Sequence, residues 1–198
     1  MKMAILSFST TISLHATILF LLANVLHVAR ASVHYHDFVL RETNITRNCT
    51  TMSLLTVNDS FPGPVIRVRK GDLVFVNVHN QGDYGVTLHW HGVKQPRNPW
   101  SDGPEYITQC PIKPQTNFTY EINFTDEEGT LWWHAHSDWT RATVHGAIVI
   151  LPSEGSSFPF PKPDEEDIIV LSMYFRNLFL LIKILTILPI LFSKSLTF

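Results

Sequence analysis

The amino-acid sequence predicts an all-β domain, either a sandwich or a small barrel, between Val33 and Leu151. Three observations lead to this prediction: polar and apolar residues alternate over short segments, Gly and Pro separate those segments, and none of them has a convincing helical repeat. Alternation with a period of two places successive side chains on opposite faces of a strand. Short strands at regular intervals with such punctuation are typical of sandwiches and barrels.

The individual strands follow from the same alternation. FPGP at Phe61 to Pro64 predicts a turn or the start of an edge strand, because proline cannot donate to a ladder. Residues 65–80 predict two strands joined at Lys70-Gly71-Asp72. NFTYEINF, residues 117–124, alternates strictly, with its aromatic and aliphatic side chains on one face and its polar side chains on the other. AIVIL, Ala147 to Leu151, predicts a buried strand.

Residues 1–31 are typical of a secretory signal peptide. Lys2 supplies the positive charge, Ile12 to Val28 is mostly apolar, and Ala29-Arg30-Ala31 has the small-x-small form of a cleavage site. A membrane anchor is the alternative, but two histidines and an asparagine interrupt the apolar run and a hydrophilic segment follows. We therefore expect a cleaved signal and a secreted protein.

Sequons and cysteines agree with an extracellular location. Five Asn-x-Ser/Thr sequons without an intervening proline predict glycosylation, at Asn44, Asn48, Asn58, Asn117 and Asn123. An even pair of cysteines, Cys49 and Cys110, invites a disulfide in that environment, although their spacing does not show that they pair with each other. The net charge of −2 gives no electrostatic reason to expect a nucleic-acid partner.

Histidines occur in two His-x-His pairs, each next to tryptophan. In LHWHG, His89 and His91 share one face of a predicted strand, and in LWWHAH, His134 and His136 do the same. If the two strands are neighbours, four imidazoles converge, and imidazole suits copper, zinc, iron or nickel. Four imidazoles on two strands favour a cluster of several metal ions. The alternative is that these four are ordinary interior or surface histidines without a metal.

The remaining residues near these pairs have plainer interpretations. His79 and His145 lack a paired histidine, and we expect them to be structural and hydrogen-bonded. Trp90 and Trp133 alternate away from the paired histidines and are expected in the core, where their bulk would hold the strands rigid.

Several long motifs resemble those of multicopper oxidases, and of plant laccases in particular. HWHG (89–92) and WWHAHSDWTRATVHGAIVI (132–150) are similar to the first and second copper motifs of that family, and FPGPVIRVRKGD (61–72) and KQPRNPWSDGPEYITQCPI (94–112) extend the match. The resemblance implies three Greek-key cupredoxin domains, of which residues 32–151 supply the first. It also implies an apoplastic enzyme that oxidises phenols at a blue copper and reduces O2 to water at a three-copper cluster.

The resemblance also assigns roles to individual residues. His89 would bind the type 2 copper, His91 and His134 one of the paired type 3 coppers, and His136 the other. Asp102, in SDGP, matches an acidic residue that assists proton delivery, although an ordinary Asp-Gly turn explains it equally well.

Parts of the family pattern are missing from the 198 residues. The cluster needs eight histidines, and this chain supplies four; the His-Cys-His tripeptide of the family is absent, so there is no candidate type 1 copper site. In the family Cys110 pairs with the C-terminal region and Cys49 with the second domain, so we expect two free thiols or a different pairing. We therefore expect half of a copper cluster, missing cupredoxin partner domains, and no phenol oxidation by this polypeptide alone.

The C-terminal segment departs from the resemblance. Pro152 to Asp167 is an extended linker rich in proline and acids, and residues 168–198 begin a second domain that stops early. The 15-residue apolar run from Leu178 to Phe192, broken by Lys183 and Pro189, is short for a membrane span. We interpret the tail as a read-through or truncated product, with a tail anchor as the alternative.

Three functions remain open from the sequence. The first is a laccase-type oxidase, and the second is a non-catalytic copper-binding cupredoxin module or remnant. The third is a zinc hydrolase, which lacks a convincing base: the sequence offers only Asp138, in HSD, and has no HExxH motif.

Overall fold

The computed structural model describes residues 31–47, 49–161 and 163–171. Over these residues it contains eight β-strands and two short 3-10 helices, which confirms the all-β prediction. The strands are β1 (Val33–Arg47), β2 (Thr50–Val57), β3 (Ile66–Arg69), β4 (Leu73–Asn80), β5 (Leu88–His91), β6 (Thr116–Asn123), β7 (Gly129–Ala135) and β8 (His145–Leu151). The 3-10 helices are Pro99–Ser101 and Asp138–Ala142.

The strands form two four-stranded sheets. The first has the order β2-β1-β4-β6 and the second the order β3-β8-β7-β5. The pairs β1–β4 and β3–β8 are parallel, and the other pairs are antiparallel. The two strands predicted in residues 65–80 are confirmed as β3 and β4, but they lie in different sheets, so the chain crosses from one sheet to the other at Lys70-Gly71-Asp72. Such crossings give the Greek-key sandwich.

The core lies between the two sheets, and β6 contributes to it by alternation whereas β8 is buried along nearly its whole length. On β6, Tyr120 and Ile122 are fully buried while the residues between and beside them are exposed, as the sequence predicts. The predicted buried strand is confirmed in β8, where six of seven residues are buried. Trp90 and Trp133 are both 0% exposed, which confirms their assignment to the core. The site strands β5 and β7 are therefore anchored by one tryptophan each.

Outside the sandwich the described chain is irregular. Most of residues 152–171 are exposed, and the described ones contain no helix or strand. The chain divides into two units, Met1–Asp164 and Glu165–Phe198, and only residues 165–171 of the second are described. Within the described ranges, no helix is both long enough and apolar enough to cross a bilayer. The predicted signal peptide (apart from Ala31), the sequon residue Asn48 and the apolar run 178–192 lie outside these ranges.

Candidate metal centre

Strands β5 and β7 are antiparallel neighbours, and their register brings the two His-x-His pairs together. His89 lies directly opposite His134, and Trp90 lies opposite Trp133. Opposed residues on antiparallel strands project their side chains to the same face. His89 and His134 therefore share one side of the sheet, and Trp90 and Trp133 share the other, as the spacing predicts.

The tryptophans fix this part of the sheet from the core side. The indole Nε1 of Trp90 donates to the carbonyl oxygen of Ser101 at 3.0 Å, and Nε1 of Trp133 donates to the carbonyl oxygen of Pro64 at 2.9 Å. Buried indoles need such an acceptor. Each tryptophan thus ties its strand to a loop, and the histidines project from a surface that is held on its buried side.

His89 is oriented by the backbone of the loop that follows β5. Its Nδ1 lies 2.6 Å from the carbonyl oxygen of Asp102. A carbonyl oxygen only accepts hydrogen bonds, so Nδ1 carries the proton and Nε2 has a free lone pair. This backbone bond leaves His89 Nε2 as the available metal ligand, an arrangement common for metal-binding histidines.

His134 and His91 present two nitrogens to the same space. Nδ1 of His134 donates to the carbonyl oxygen of Ala135 at 2.9 Å, so its Nε2 has the lone pair, and this Nε2 lies 3.4 Å from Nδ1 of His91. Burial lowers the pKa of His134 to about 4, with the nearby histidines His89, His91 and His136 as weaker causes. The imidazole is therefore neutral near pH 7, as a metal ligand must be.

His136 completes the group just after the end of β7. Its ring centroid lies 5.4 Å from that of His89 and 5.9 Å from that of His134. The backbone N–H of His136 donates to the carbonyl oxygen of Thr87 at 2.9 Å, which ties this residue to the segment preceding β5. All four predicted histidines therefore converge on one patch.

The donor set fits a transition metal. One nitrogen from each of His89, His91 and His134 lies within 4.8 Å of the others. Two nitrogens bound to one ion at 2.0–2.1 Å with tetrahedral angles are about 3.4 Å apart, which is the separation of His134 Nε2 and His91 Nδ1. Three imidazoles without a carboxylate among them suit copper, zinc, iron or nickel rather than calcium or magnesium.

Asp102 lies beside the cluster, and both of its proposed roles agree with its position. It follows the 3-10 helix Pro99–Ser101 and precedes Gly103, which has φ +97°, so it does belong to a turn. Its Oδ1 also lies 3.4 Å from Nδ1 of His89, with the carboxylate side chain 30% exposed. The carboxylate is therefore close to the His89 ring and also reaches solvent.

Trp132 also lies beside the cluster. The sequence places it on the same strand face as His134 and predicts no further role for it. It is 41% exposed, and its ring stacks on His134 with centroids 4.2 Å apart. Alternation along β7 places it on the histidine face, and that alternation is the signal in the sequence that identifies it. The indole covers one side of the His134 imidazole.

A third His-x-His pair, His34 and His36, is not among the predicted ligands and lies elsewhere. It is on β1, in the other sheet, and Nε2 of His34 bonds Oδ2 of Asp72 at 2.9 Å. The single histidines are hydrogen-bonded as predicted: Nε2 of His79 to Asn77 at 2.7 Å, and Nδ1 of His145 to the carbonyl oxygen of Arg141 at 3.1 Å. Spacing alone therefore does not identify the cluster.

The two cysteines are both exposed, and both thiols are free. The structure shows no bond between Cys49 and Cys110, and the expectation of two free thiols or a different pairing stays a prediction.

Comparison with known proteins identifies the family. The sequence model of the family described as "Multicopper oxidase" matches residues 39–155. Putative laccase-9 of Oryza sativa subsp. japonica is 62% identical over 147 residues, which are 74% of this chain and 25% of that protein. Laccase-14 of Arabidopsis thaliana is 50% identical over 171 residues, or 85% of this chain and 30% of that protein. The chain thus spans about a quarter of the length of these relatives.

Solved structures agree with the fold. The laccase from Botrytis aclada has a TM-score of 0.59 and 32% sequence identity, over 62% of this chain and 23% of that one. The blue copper oxidase from Nitrosomonas europaea also has a TM-score of 0.59, with 30% identity over 64% of this chain and 41% of that one. The cupredoxin-like sandwich predicted from the motifs is confirmed. The region matched by the family model, residues 39–155, includes both β5 and β7, which carry histidines of the cluster. The chain belongs to the multicopper oxidase family.

Proposed function

We propose that His89, His91, His134 and His136 bind copper and supply half of the ligands of a three-copper cluster. His89 belongs to the type 2 site, His91 and His134 share one type 3 ion, and His136 binds the other. The observation that carries this proposal is the pairing of His89 with His134 across β5 and β7. The 3.4 Å separation of His91 Nδ1 and His134 Nε2 supports one shared ion between these two.

When bound, copper supplies the one-electron chemistry by which O2 is reduced to water. The protein residues hold the ligand nitrogens in place: the carbonyl oxygen of Asp102 orients His89, and the carbonyl oxygen of Ala135 orients His134. The carboxylate of Asp102, 30% exposed, passes protons between solvent and the region beside His89 Nδ1, 3.4 Å from its Oδ1. Each of these tasks needs a fixed polar atom, and β5, β7 and the loop after β5 provide them.

The whole reaction we propose is that of laccases, the oxidation of phenols coupled to reduction of O2. These 198 residues contain four of the eight cluster ligands, and neither cysteine has a neighbouring histidine. A type 1 site needs a thiolate and two imidazoles. We therefore infer that phenol oxidation requires further cupredoxin domains as partners and that residues 32–151 form the first of them, followed by a linker over 152–167 and the start of a second domain over 168–198.

We also propose that the protein is secreted to the apoplast after removal of residues 1–31 and glycosylated there. Asn44, Asn117 and Asn123 are exposed on strands, which supports their modification. Asn58 is exposed but engaged, because its Oδ1 accepts from the N–H of Val39 and its Nδ2 donates to the carbonyl oxygen of Asp37. Of the described sequons, Asn58 is therefore the least suited to carry a glycan.

Copper binding by the purified full chain tests the proposal. We expect the double variant His89→Ala/His134→Ala to lose at least about tenfold in copper affinity, since even outer-shell changes cost 10–100-fold. The matched control is His34→Gln/His36→Gln, which removes a His-x-His pair of the same spacing in the other sheet and should bind copper normally. Affinity is measured by competition with a chelator, and folding is checked by circular dichroism.

Two results would overturn the proposal. If both double variants lost the same copper affinity, the His-x-His spacing, and not the convergence of the four histidines, would explain copper binding. A clear preference for zinc over copper, accompanied by hydrolytic activity, would replace the oxidase assignment with a hydrolase.

A further inference from the structure

A polar cavity lies at one end of the first sheet, where β4 ends and β6 begins. Its volume is about 290 Å³, and it is open to solvent. Six residues line it: His79, Asn80, Gln81, Gln115, Thr116 and Asn117. This volume lies at the lower end of the ~300–1,000 Å³ range of ligand pockets. The cavity therefore suits a single small polar ring.

One of the lining residues is the acceptor of a sequon. Asn117 begins Asn117-Phe118-Thr119 and pairs with His79 across β4 and β6. Its side chain is exposed, and its amide makes no hydrogen bond to any residue that the structure describes. Asn58, by contrast, uses both amide atoms to hold β1. The Asn117 amide is thus available for modification at the rim of a cavity.

We propose that Asn117 is glycosylated and that the first N-acetylglucosamine of its glycan lies in this cavity. The proposal rests on the proposed secretion, because the donor is a lipid-diphosphate-linked oligosaccharide of the secretory pathway. In the transfer, Nδ2 of Asn117 loses a proton and bonds the anomeric carbon, while the bond from that carbon to the diphosphate oxygen breaks and the lipid diphosphate leaves. The sugar is then tethered within reach of the cavity.

The cavity offers the polar partners that such a sugar needs. The side-chain amides of Gln81 and Gln115 are exposed and bond no described residue, and each amide both donates and accepts. An N-acetylglucosamine presents hydroxyl groups and an acetamide, which also donate and accept. Tethering at Asn117 removes most of the entropic cost of association, so a few such bonds are enough to hold the sugar.

The same strand provides a matched control. Asn123 is six residues further along β6 and therefore on the same face, is exposed, and begins the sequon Asn123-Phe124-Thr125. It is not among the residues that line the cavity. A glycan on Asn123 has the same chemistry and the same strand beneath it, but Asn123 does not line this cavity.

The experiment compares the two glycans within one molecule. The full chain is secreted from a mammalian cell line and treated, while native, with peptide N-glycosidase F, which converts each released asparagine to aspartate. Mass spectrometry gives the conversion rate at each site. We expect release at Asn117 to be roughly three- to tenfold slower than at Asn123, the factor that one net hydrogen bond contributes to an equilibrium. The variant Gln81→Ala/Gln115→Ala should remove the difference.

The outcomes separate the proposal from the secretion on which it rests. Equal rates in the denatured chain together with slower native release at Asn117 support the proposal. Equal native rates at two occupied sites overturn it and leave secretion intact. Absence of glycan at both asparagines overturns the cavity proposal together with the proposed glycosylation of β6. A rate difference that persists in the glutamine variant shows that the cavity residues are not responsible, and it also overturns the proposal.

Discussion

Gly103 illustrates how one residue fixes the loop that carries Asp102. It has φ +97°, and a Cβ atom there would lie 1.8 Å from the carbonyl oxygen of Leu88. This close approach brings the loop against β5 and allows the carbonyl oxygen of Asp102 to reach His89. Any other residue at position 103 has to move either the loop or the strand.

Substitution of Gly103 by alanine should therefore destabilise the fold and weaken copper binding. We expect a loss of roughly 3 kcal/mol or more in the free energy of unfolding, since backbone strain and overpacking act together. The control is Gly129→Ala: Gly129 has φ +102° but nothing within 4 Å of the added Cβ, so only about 1–2 kcal/mol of strain is expected. Urea unfolding measures both; similar losses would contradict the argument.

Asp59 and Arg41 should make stability depend on pH in acid. The Arg41 guanidinium, and secondly a hydrogen bond from Thr43, lowers the pKa of Asp59 from 3.8 to about 2. Because the folded pKa is the lower one, the stabilisation is complete above the unfolded value and is lost as the pH falls from about 4 to about 2. Both side chains are exposed, so the effect should be small.

The measurement compares urea unfolding of the wild-type chain and Asp59→Asn at several pH values. The difference between them should shrink only below about pH 4. Arg41→Gln is the control. It removes the main cause of the lowered Asp59 pKa and should therefore lose the same pH-dependent stabilisation as Asp59→Asn. A difference that is constant down to pH 2 would contradict the assignment.

At the scale of the elements, the two faces of β7 have different roles: one packs in the core and the other faces the histidine patch. Trp133 is 0% exposed and packs on Phe38 with ring centroids 4.8 Å apart, whereas Trp132 is 41% exposed and stacks on His134. The two residues are neighbours in sequence but serve the core and the metal site separately. Period-two alternation makes this division possible.

Alanine substitutions of these two tryptophans should therefore separate stability from binding. Trp133→Ala should cost about 3–5 kcal/mol of stability through the cavity it leaves. Trp132→Ala should cost about 1 kcal/mol or less, as is usual for a partly exposed site, and should alter the copper-binding patch instead. Urea unfolding and chelator competition measure the two effects. A larger stability loss for Trp132→Ala would mean that the faces are assigned wrongly.

At the scale of the whole molecule, our proposal gives the chain half of a metal site. Four histidines converge on β5 and β7, while both cysteines are exposed and have no histidine beside them in sequence. The relatives it matches are about four times longer than the matched region. The missing ligands and the phenol-binding site belong, in our proposal, to further domains.

The copper-loaded full chain should accordingly show no intense blue absorption and should not oxidise phenols. The reason is that a type 1 site needs a thiolate with two imidazoles, and neither cysteine has a neighbouring histidine in the sequence. Absorption spectroscopy and an oxygen electrode with a phenolic substrate measure this, and the matched control is the chain with His89→Ala/His134→Ala. Oxygen consumption by the wild-type chain that the double variant lacks would contradict the prediction.

The fold class, the family and the face shared by each histidine pair could all be predicted from local sequence pattern. Period-two alternation is a local property of the chain, so Tyr120 and Ile122 on one face of β6 could be assigned without the structure. The His-x-His spacing likewise fixes which histidines share a face of one strand. Long motifs around His89 and His134 then supplied the resemblance to multicopper oxidases.

Which strands lie next to each other could not be predicted in this way and is seen in the folded chain. The pair His34 and His36 has the same spacing as the site pairs, yet β1 lies in the other sheet. The orientation of His89 by the carbonyl oxygen of Asp102, and the cavity beside Asn117, also depend on residues far apart in the chain. The physical reason is that alternation is set by each strand's own backbone, whereas register and contact between strands depend on how the whole chain packs.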